Sequence, residues 1–319
     1  MRAMNVMDRR TILKSAAIAA ATGGAAAFGG EAIGAGNAGP GAAPALRAKP
    51  FIETADGTRL FYRDWGTGKP VVFTHAWALN SDIWEYQLTY LTEHGLRCVA
   101  YDRRGHGRTS DPGRGYDYDT LADDLAAVIE QLDLREVTLV GFSMGAGEVA
   151  RYLSRHGAGR IARVVLTSPG TPVAAKMADN PDGTDVSVYE GFVAGITKDR
   201  PAFFAYNLWM FFGKGATASP MMSQWLLSQF LQASPKATIE CMRGFISADF
   251  RPDMRAFTVP TLIIQGDADV LAPIDKTGRR TVQAIPGSRL IVYEGGPHGL
   301  VVTEKDRFNR DLLAFAQGS

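Results

Sequence analysis

The chain predicts an α/β fold in which a mostly parallel, twisted sheet carries helices on both faces. Three observations carry that expectation: short apolar runs recur along the chain, the segments between them have helical spacing, and one long stretch breaks the alternation. The runs are PVVFT (70–74), RCVAYD (97–102), VTLVGF (137–142), RVVLTS (163–168), TLIIQG (261–266) and RLIVYE (289–294). Continuous apolar runs of this length suit strands buried on both faces of a parallel sheet. Ahead of them, FIETADGTRLFYRDWG reads as two short strands turning at Asp56-Gly57, a hairpin signal. Between the runs, Leu121, Leu125, Val128, Ile129 and Leu132 form one stripe of an amphipathic helix, and Phe308, Leu312 and Phe315 repeat the pattern near the C-terminus. Strands alternating with helices predict a doubly wound sheet. From Pro169 to Pro260 no strand pattern appears; the segment is helical and rich in Met and aromatic residues. It is expected as a helical cap (170–259) inserted over the sheet's C-terminal edge, between core segments 46–169 and 260–319. In open α/β sheets ligands bind at that edge.

The 319 residues allow an ample core, and 46% hydrophobic with 21% charged residues is an ordinary globular balance. Thirty-four basic against 33 acidic residues leave a net charge of +1, which argues against nucleic acid as a partner. Residues 1–45 have another character. DRRTILK (Asp8 to Lys14) precedes SAAIAAATGGAAAF and a Gly/Ala/Pro-rich stretch, the layout of an export signal: charged, apolar, then small residues. Arg9, Arg10, Leu13 and Lys14 resemble the twin-arginine consensus, with Asp8 and Ile12 in place of its usual Ser/Thr and Phe. Cleavage after Ala38 or Ala45 would leave a mature periplasmic or extracellular protein with no membrane anchor, since the apolar part is too short to span a bilayer. The two cysteines, Cys98 and Cys241, lie in apolar strand-like and helical runs and read as buried free thiols. No His/Cys/carboxylate cluster has metal-ligand spacing, so no metal is expected.

Candidate chemistry centres on GFSMGAG (141–147), which falls between the apolar run VTLV and a helical pattern. A strand-to-helix turn this sharp forces Ser143 to positive φ, and Gly141 and Gly145 relieve the crowding. Ala146 and Gly147 are expected to let the helix lie close to the sheet. Such a turn exposes the Ser143 hydroxyl at a helix N-terminus, where developing negative charge is favoured. The hydroxyl needs a base. Of five histidines, His94 and His156 precede Gly at helix ends, His75 follows a strand, and His106 lies in the basic loop DRRGHGR. His298 sits in the loop GGPHGL after the last strand, which gives the chain order Ser…Asp…His expected for this turn. The acid comes from GDADVLAP: the spacing favours Asp269 and leaves Asp267 to support the loop backbone. Asp102, beside Arg103 and Arg104, reads as a structural ion pair. Backbone N–H groups of Met144 and of Trp77, in THAWALN, are the candidate oxyanion donors.

HAW with LN, AYDRRGHGRTS, ADDLAAVIEQLDL, LVGFSMGAGEVARYLSRHG, DFRPDM, VPTLIIQGDAD and GGPHGL closely resemble the cofactor-free haloperoxidase and aryl-esterase group of the α/β-hydrolase fold, from about Phe51 to the C-terminus. The resemblance implies a serine hydrolase of small carboxylic esters that needs no cofactor and forms peracids with hydrogen peroxide. It carries the triad onto Ser143, Asp269 and His298 and the oxyanion donors onto Trp77 and Met144, and it alone suggests a homo-oligomer. Three positions depart from the group: Ala76 stands for its usual Gly, Ala78 for the Pro often found in perhydrolytic members, and Gln265 for His.

A lactonase or carbon–carbon bond hydrolase would use the same triad with another pocket, and a non-catalytic binding protein would require a broken triad. A dehalogenase or epoxide hydrolase would place aspartate at position 143. Phe142, Phe204, Trp209 and Phe212 are the candidate pocket residues, three of them from the aromatic stretch PAFFAYNLWMFF (201–212).

Overall fold

The structure, a computed structural model, describes residues 50–214 and 218–318. The export segment expected over residues 1–45 lies outside the described residues.

The hairpin forms as β1 (Phe51–Glu53) paired antiparallel with β2 (Arg59–Gly66). The apolar runs form β3 (Pro70–Thr74), β4 (Arg97–Tyr101), β5 (Val137–Phe142), β6 (Ile161–Thr167), β7 (Thr261–Gly266) and β8 (Arg289–Tyr293). They assemble one sheet of order β1-β2-β4-β3-β5-β6-β7-β8, antiparallel through β2·β4 and parallel from β4 onward. β3 and β5 are neighbours whose chain continuations lead to opposite ends of the sheet. Their carboxyl ends therefore flank the topological switch point, where crevices open in such sheets.

Successive residues of a strand face opposite sides, and the two cores follow that alternation. Val72 and Leu139 face one cluster, which takes Leu121, Leu125, Val128 and Ile129 from α2 (Tyr118–Gln131) and Val149 and Leu153 from α3 (Met144–His156). Phe73 and Val140 face the other, which takes Leu88 and Leu91 from α1 (Glu85–Glu93) and Phe308, Leu312 and Phe315 from α9 (Lys305–Gln317). Each fully buried leucine here contributes about 1.5–3 kcal/mol. Cys98 belongs to the second cluster and Cys241 to the first, so the sheet separates two free thiols whose pKa values burial pushes up to about 12. The Asp117 carboxylate caps α2 by accepting the Thr120 N–H at 2.9 Å.

Between β6 and β7 run α4 (Val186–Phe212), α5 (Pro220–Gln232) and α6 (Pro235–Ser247). Serine followed by proline opens both α5 and α6, pairing a side-chain cap with a residue that donates no N–H. Within α4 the backbone breaks at Asp199 (φ −159°), two residues before Pro201, and the Asp199 carboxylate caps the second half through the Ala202 N–H at 3.0 Å. The second half carries the aromatic stretch. Short α7 (Gly278–Ala284) and α8 (Leu300–Thr303) complete the α-helices among the described residues, and no helix there is long and apolar enough to cross a membrane.

Two local expectations need correction. Gly147 does not serve helix-to-sheet contact: a Cβ there would lie 2.4 Å from the Phe250 ring and 2.9 Å from Tyr118, so it admits aromatic side chains against α3. Asp102 is structural, but its partner is Arg108 at 3.0 Å, and it also accepts the Ser81 N–H at 2.8 Å. Arg103 turns inward to Glu148, while Arg104 reaches Asp124 and Asp56, because consecutive residues leaving a strand point in different directions.

Candidate active site

Ser143 sits between β5 and α3 with φ 55° and ψ −113°. An L-residue adopts that conformation only when its surroundings impose it. They do so tightly: the Ser143 N–H donates to Thr167 O at 3.0 Å, and its carbonyl accepts the Ala146 N–H at 3.0 Å. A Cβ on Gly145 would come within 2.4 Å of Thr74 Oγ1 and 2.8 Å of Thr74 O, and one on Gly141 within 2.8 Å of Gly145 O. Both glycines are therefore required by close backbone approach, as the motif implied.

Three side chains distant in sequence meet here. Ser143 Oγ lies 3.0 Å from His298 Nε2, and His298 Nδ1 lies 2.8 Å from Asp269 Oδ2. Asp269 is held from its other oxygen, where Oδ1 accepts the N–H groups of Leu271 and Ala272 at 3.0 and 2.8 Å. The loop carrying His298 is fixed by the Ser168 hydroxyl, which donates to the His298 carbonyl at 2.9 Å. Asp267 does not reach the imidazole; exposed, it accepts the Gly295 N–H at 2.7 Å and braces the same loop. A line of this kind can pass the hydroxyl proton to Nε2 and hold the resulting imidazolium against a carboxylate.

Gln265, where the related group has histidine, is fully buried beneath the acid. Its amide nitrogen donates to Ala272 O at 2.5 Å and Thr277 Oγ1 at 3.0 Å and lies 3.4 Å from Asp269 Oδ2; its oxygen accepts the Gly278 N–H at 3.0 Å. It thus shapes the turn that bears Asp269 without a titratable ring.

A cavity of about 120 Å³ opens onto Ser143 and His298. Trp77 and Met144 both line it, and among the described residues neither main-chain N–H has a hydrogen-bond acceptor. The Trp77 indole reaches the other way and donates to Thr238 O of α6 at 2.9 Å, tying the loop after β3 to the cap. Of the four expected pocket residues, only Phe204 lines the cavity. Phe142 is fully buried on β5, its ring 5.4 Å from that of His298, so it supports the imidazole from below. Trp209 falls on the outer side of α4 and is 42% exposed, and Phe212 packs into the core beside Phe211. The wall is made instead by Phe203, Met210 and Phe211 with Tyr189, Phe230 and Phe245. Phe203, Phe204 and Phe211 share one helical face with Asn207, a phase readable in the sequence once Phe204 is placed. Among the described residues, the side chains with polar atoms on the wall besides Ser143 and His298 are Asn207, Tyr189 and Trp77; the Trp77 indole is turned away to Thr238 O, and the Asn207 amide nitrogen is already engaged by Phe203 O at 2.8 Å.

The sheet order, the strained serine turn and the apolar cap define the α/β-hydrolase class, and the chain belongs to it: the alpha/beta hydrolase fold family matches residues 69–305. Within that class its relatives are non-heme haloperoxidases and esterases. It is 42% identical over 273 residues to a non-heme chloroperoxidase of Kitasatospora aureofaciens, covering 83% of this chain and 98% of the relative. A bifunctional esterase/perhydrolase of Acinetobacter calcoaceticus is 37% identical over 272 residues, with 83% and 98% covered. Among solved structures, a bromoperoxidase from Bacillus anthracis superimposes with a TM-score of 0.81 at 43% identity, covering 85% of this chain and 99% of that one.

Proposed function

We infer that the protein is an exported serine carboxylesterase acting on small, uncharged alkyl and aryl esters. The observation that carries this reading is the hydrogen-bonded line Ser143–His298–Asp269 opening onto an apolar cavity whose wall also presents two unengaged main-chain N–H groups. His298 Nε2 takes the Ser143 proton as Oγ attacks the ester carbonyl, and the N–H groups of Trp77 and Met144 receive the developing oxyanion. Collapse expels the alcohol, which takes the proton from His298, and leaves an acyl group on Ser143. Water, deprotonated by His298, then releases the acid. Hydrogen peroxide in place of water gives a peracid, which oxidises halide to hypohalous acid while returning to the carboxylic acid; the names of the relatives support this side activity.

The test is covalent labelling. A fluorophosphonate probe is expected to label the wild type and leave Ser143→Ala unlabelled, and equal labelling of both would remove Ser143 as nucleophile. Export rests on residues 8–14, where paired arginines precede an apolar stretch. Replacing Arg9 and Arg10 with lysines is expected to leave the precursor in the cytoplasm, read by fractionation; undiminished export would refute the twin-arginine route.

A further inference from the structure

His75 leaves the carboxyl end of β3, two residues before Trp77, and the reaction above gives its ring no role. The ring is 1% exposed and engaged at both nitrogens. Nε2 accepts the Arg103 main-chain N–H at 3.0 Å, so the ring proton resides on Nδ1. Nδ1 lies 2.8 Å from the Ala76 carbonyl oxygen and donates to it. Burial next to the Arg103 guanidinium keeps the imidazole neutral by holding its pKa well below 6.5.

The Ala76 carbonyl belongs to the same planar unit as the Trp77 N–H. In a trans peptide, which this one is, the two bonds point in opposite directions. Fixing the oxygen from the protein side fixes the direction of the N–H on the far side. The Arg103 side chain extends the connection. Its Nη2 donates to the His75 carbonyl at 2.9 Å, and its Nε and Nη2 donate to Glu148 Oε2 at 2.8 and 2.6 Å. Glu148 stands on α3, the helix that opens on Met144. One buried guanidinium therefore ties the strand end carrying one unengaged N–H to the helix carrying the other.

We propose that His75 is a positioning residue: a neutral imidazole of fixed tautomer that orients the Ala76–Trp77 peptide so that the Trp77 N–H meets the oxyanion. The proposal rests on the esterase reading. It separates His75 from the many residues that only fill the core, because what it sets is a direction in the transition state.

The experiment compares His75→Asn, His75→Gln and His75→Leu with wild type and Ser143→Ala, using p-nitrophenyl acetate as substrate and phenylboronic acid as a tetrahedral mimic. The Asn amide nitrogen stands close to the place of Nδ1 and can still donate to Ala76 O, whereas the Gln amide reaches toward the place of Nε2 and Leu has no donor. His75→Asn is expected to keep kcat within about tenfold, while His75→Gln and His75→Leu lose about 10²-fold in kcat with KM near wild type and lose phenylboronic acid affinity in step. Thermal melts identify folded variants, and if leucine is not tolerated the Asn and Gln pair decides. A folded Gln or Leu variant with wild-type kcat, an Asn variant as impaired as Gln, or a loss carried by KM alone would overturn the role of His75. Hydrolysis by Ser143→Ala at the wild-type rate would instead overturn the esterase reading, so the two failures are distinguishable.

Discussion

Replacing Asp269 by asparagine is expected to lower kcat for p-nitrophenyl acetate by about 10⁴-fold, while Asp267→Asn stays near the wild-type rate. The two carboxylates are two residues apart, and their surroundings assign them different work. Asp269 is 4% exposed; one oxygen faces His298 Nδ1 at 2.8 Å and the other is pinned by two main-chain N–H groups. Because those N–H groups need an oxygen, the asparagine turns its NH₂ toward His298. That NH₂ can only donate to Nδ1, which drives the ring proton to Nε2, where Ser143 needs an acceptor. The protein stays folded and the base is lost. Asp267 touches only the Gly295 N–H, and an asparagine oxygen replaces that contact. Rates normalised to folded protein check the order, and a larger loss at 267 would move the acid there.

Glu148→Leu is expected to destabilise the fold by about 3–5 kcal/mol, and Arg103→Met combined with it to cost less than the sum of the single changes. Both residues are essentially without solvent. Burial pushes the carboxyl up and the guanidinium down, and the two groups face each other at 2.6 Å out of solvent. Removing Glu148 leaves a buried cation and an unpaired Tyr101 hydroxyl, which otherwise donates to Glu148 Oε1. Removing both charges still leaves the Tyr101 hydroxyl unpaired and the His75 carbonyl short of one donor, but no buried cation, a smaller penalty. Urea midpoints for the four proteins measure the coupling, and additive losses would mean that the pair is not a unit.

The parts of this molecule that were legible in the sequence are those whose constraint is local. A strand buried on both faces must read as a continuous apolar run, so β3 to β7 are found within a residue or two of their ends. A turn with backbone packed on both sides must lack side chains, so Gly141 and Gly145 mark it. The order of Ser143, Asp269 and His298 follows the chain order of β5, β7 and β8, whose carboxyl ends lie along one edge of the sheet. What stayed hidden depends on how separate pieces dock. Which aromatic of 201–212 faces the cavity depends on the rotation of α4 against the sheet, and that rotation put Phe203, Phe204 and Phe211 inside and Trp209 outside. Asp102 has three arginines in the six positions that follow it, and only the path of the loop after β4 selects Arg108. His75 read as a residue that merely follows a strand, because its partner Arg103 is 28 positions away and Glu148, which holds that arginine, is 73 positions away.

The buried residue after Trp77 constrains what substitution can achieve. Ala78 has φ +61°, on the left-handed side of the map. Proline's ring holds φ near −65°, so the residue often found here in perhydrolytic members of the group does not fit this main-chain path. Grafting proline at 78 would require the whole turn from His75 to Asn80 to be re-routed, and the Trp77 N–H would move with it. Glycine, by contrast, enters the existing path without strain. Any redesign at position 78 that introduces proline therefore has to begin with loop replacement.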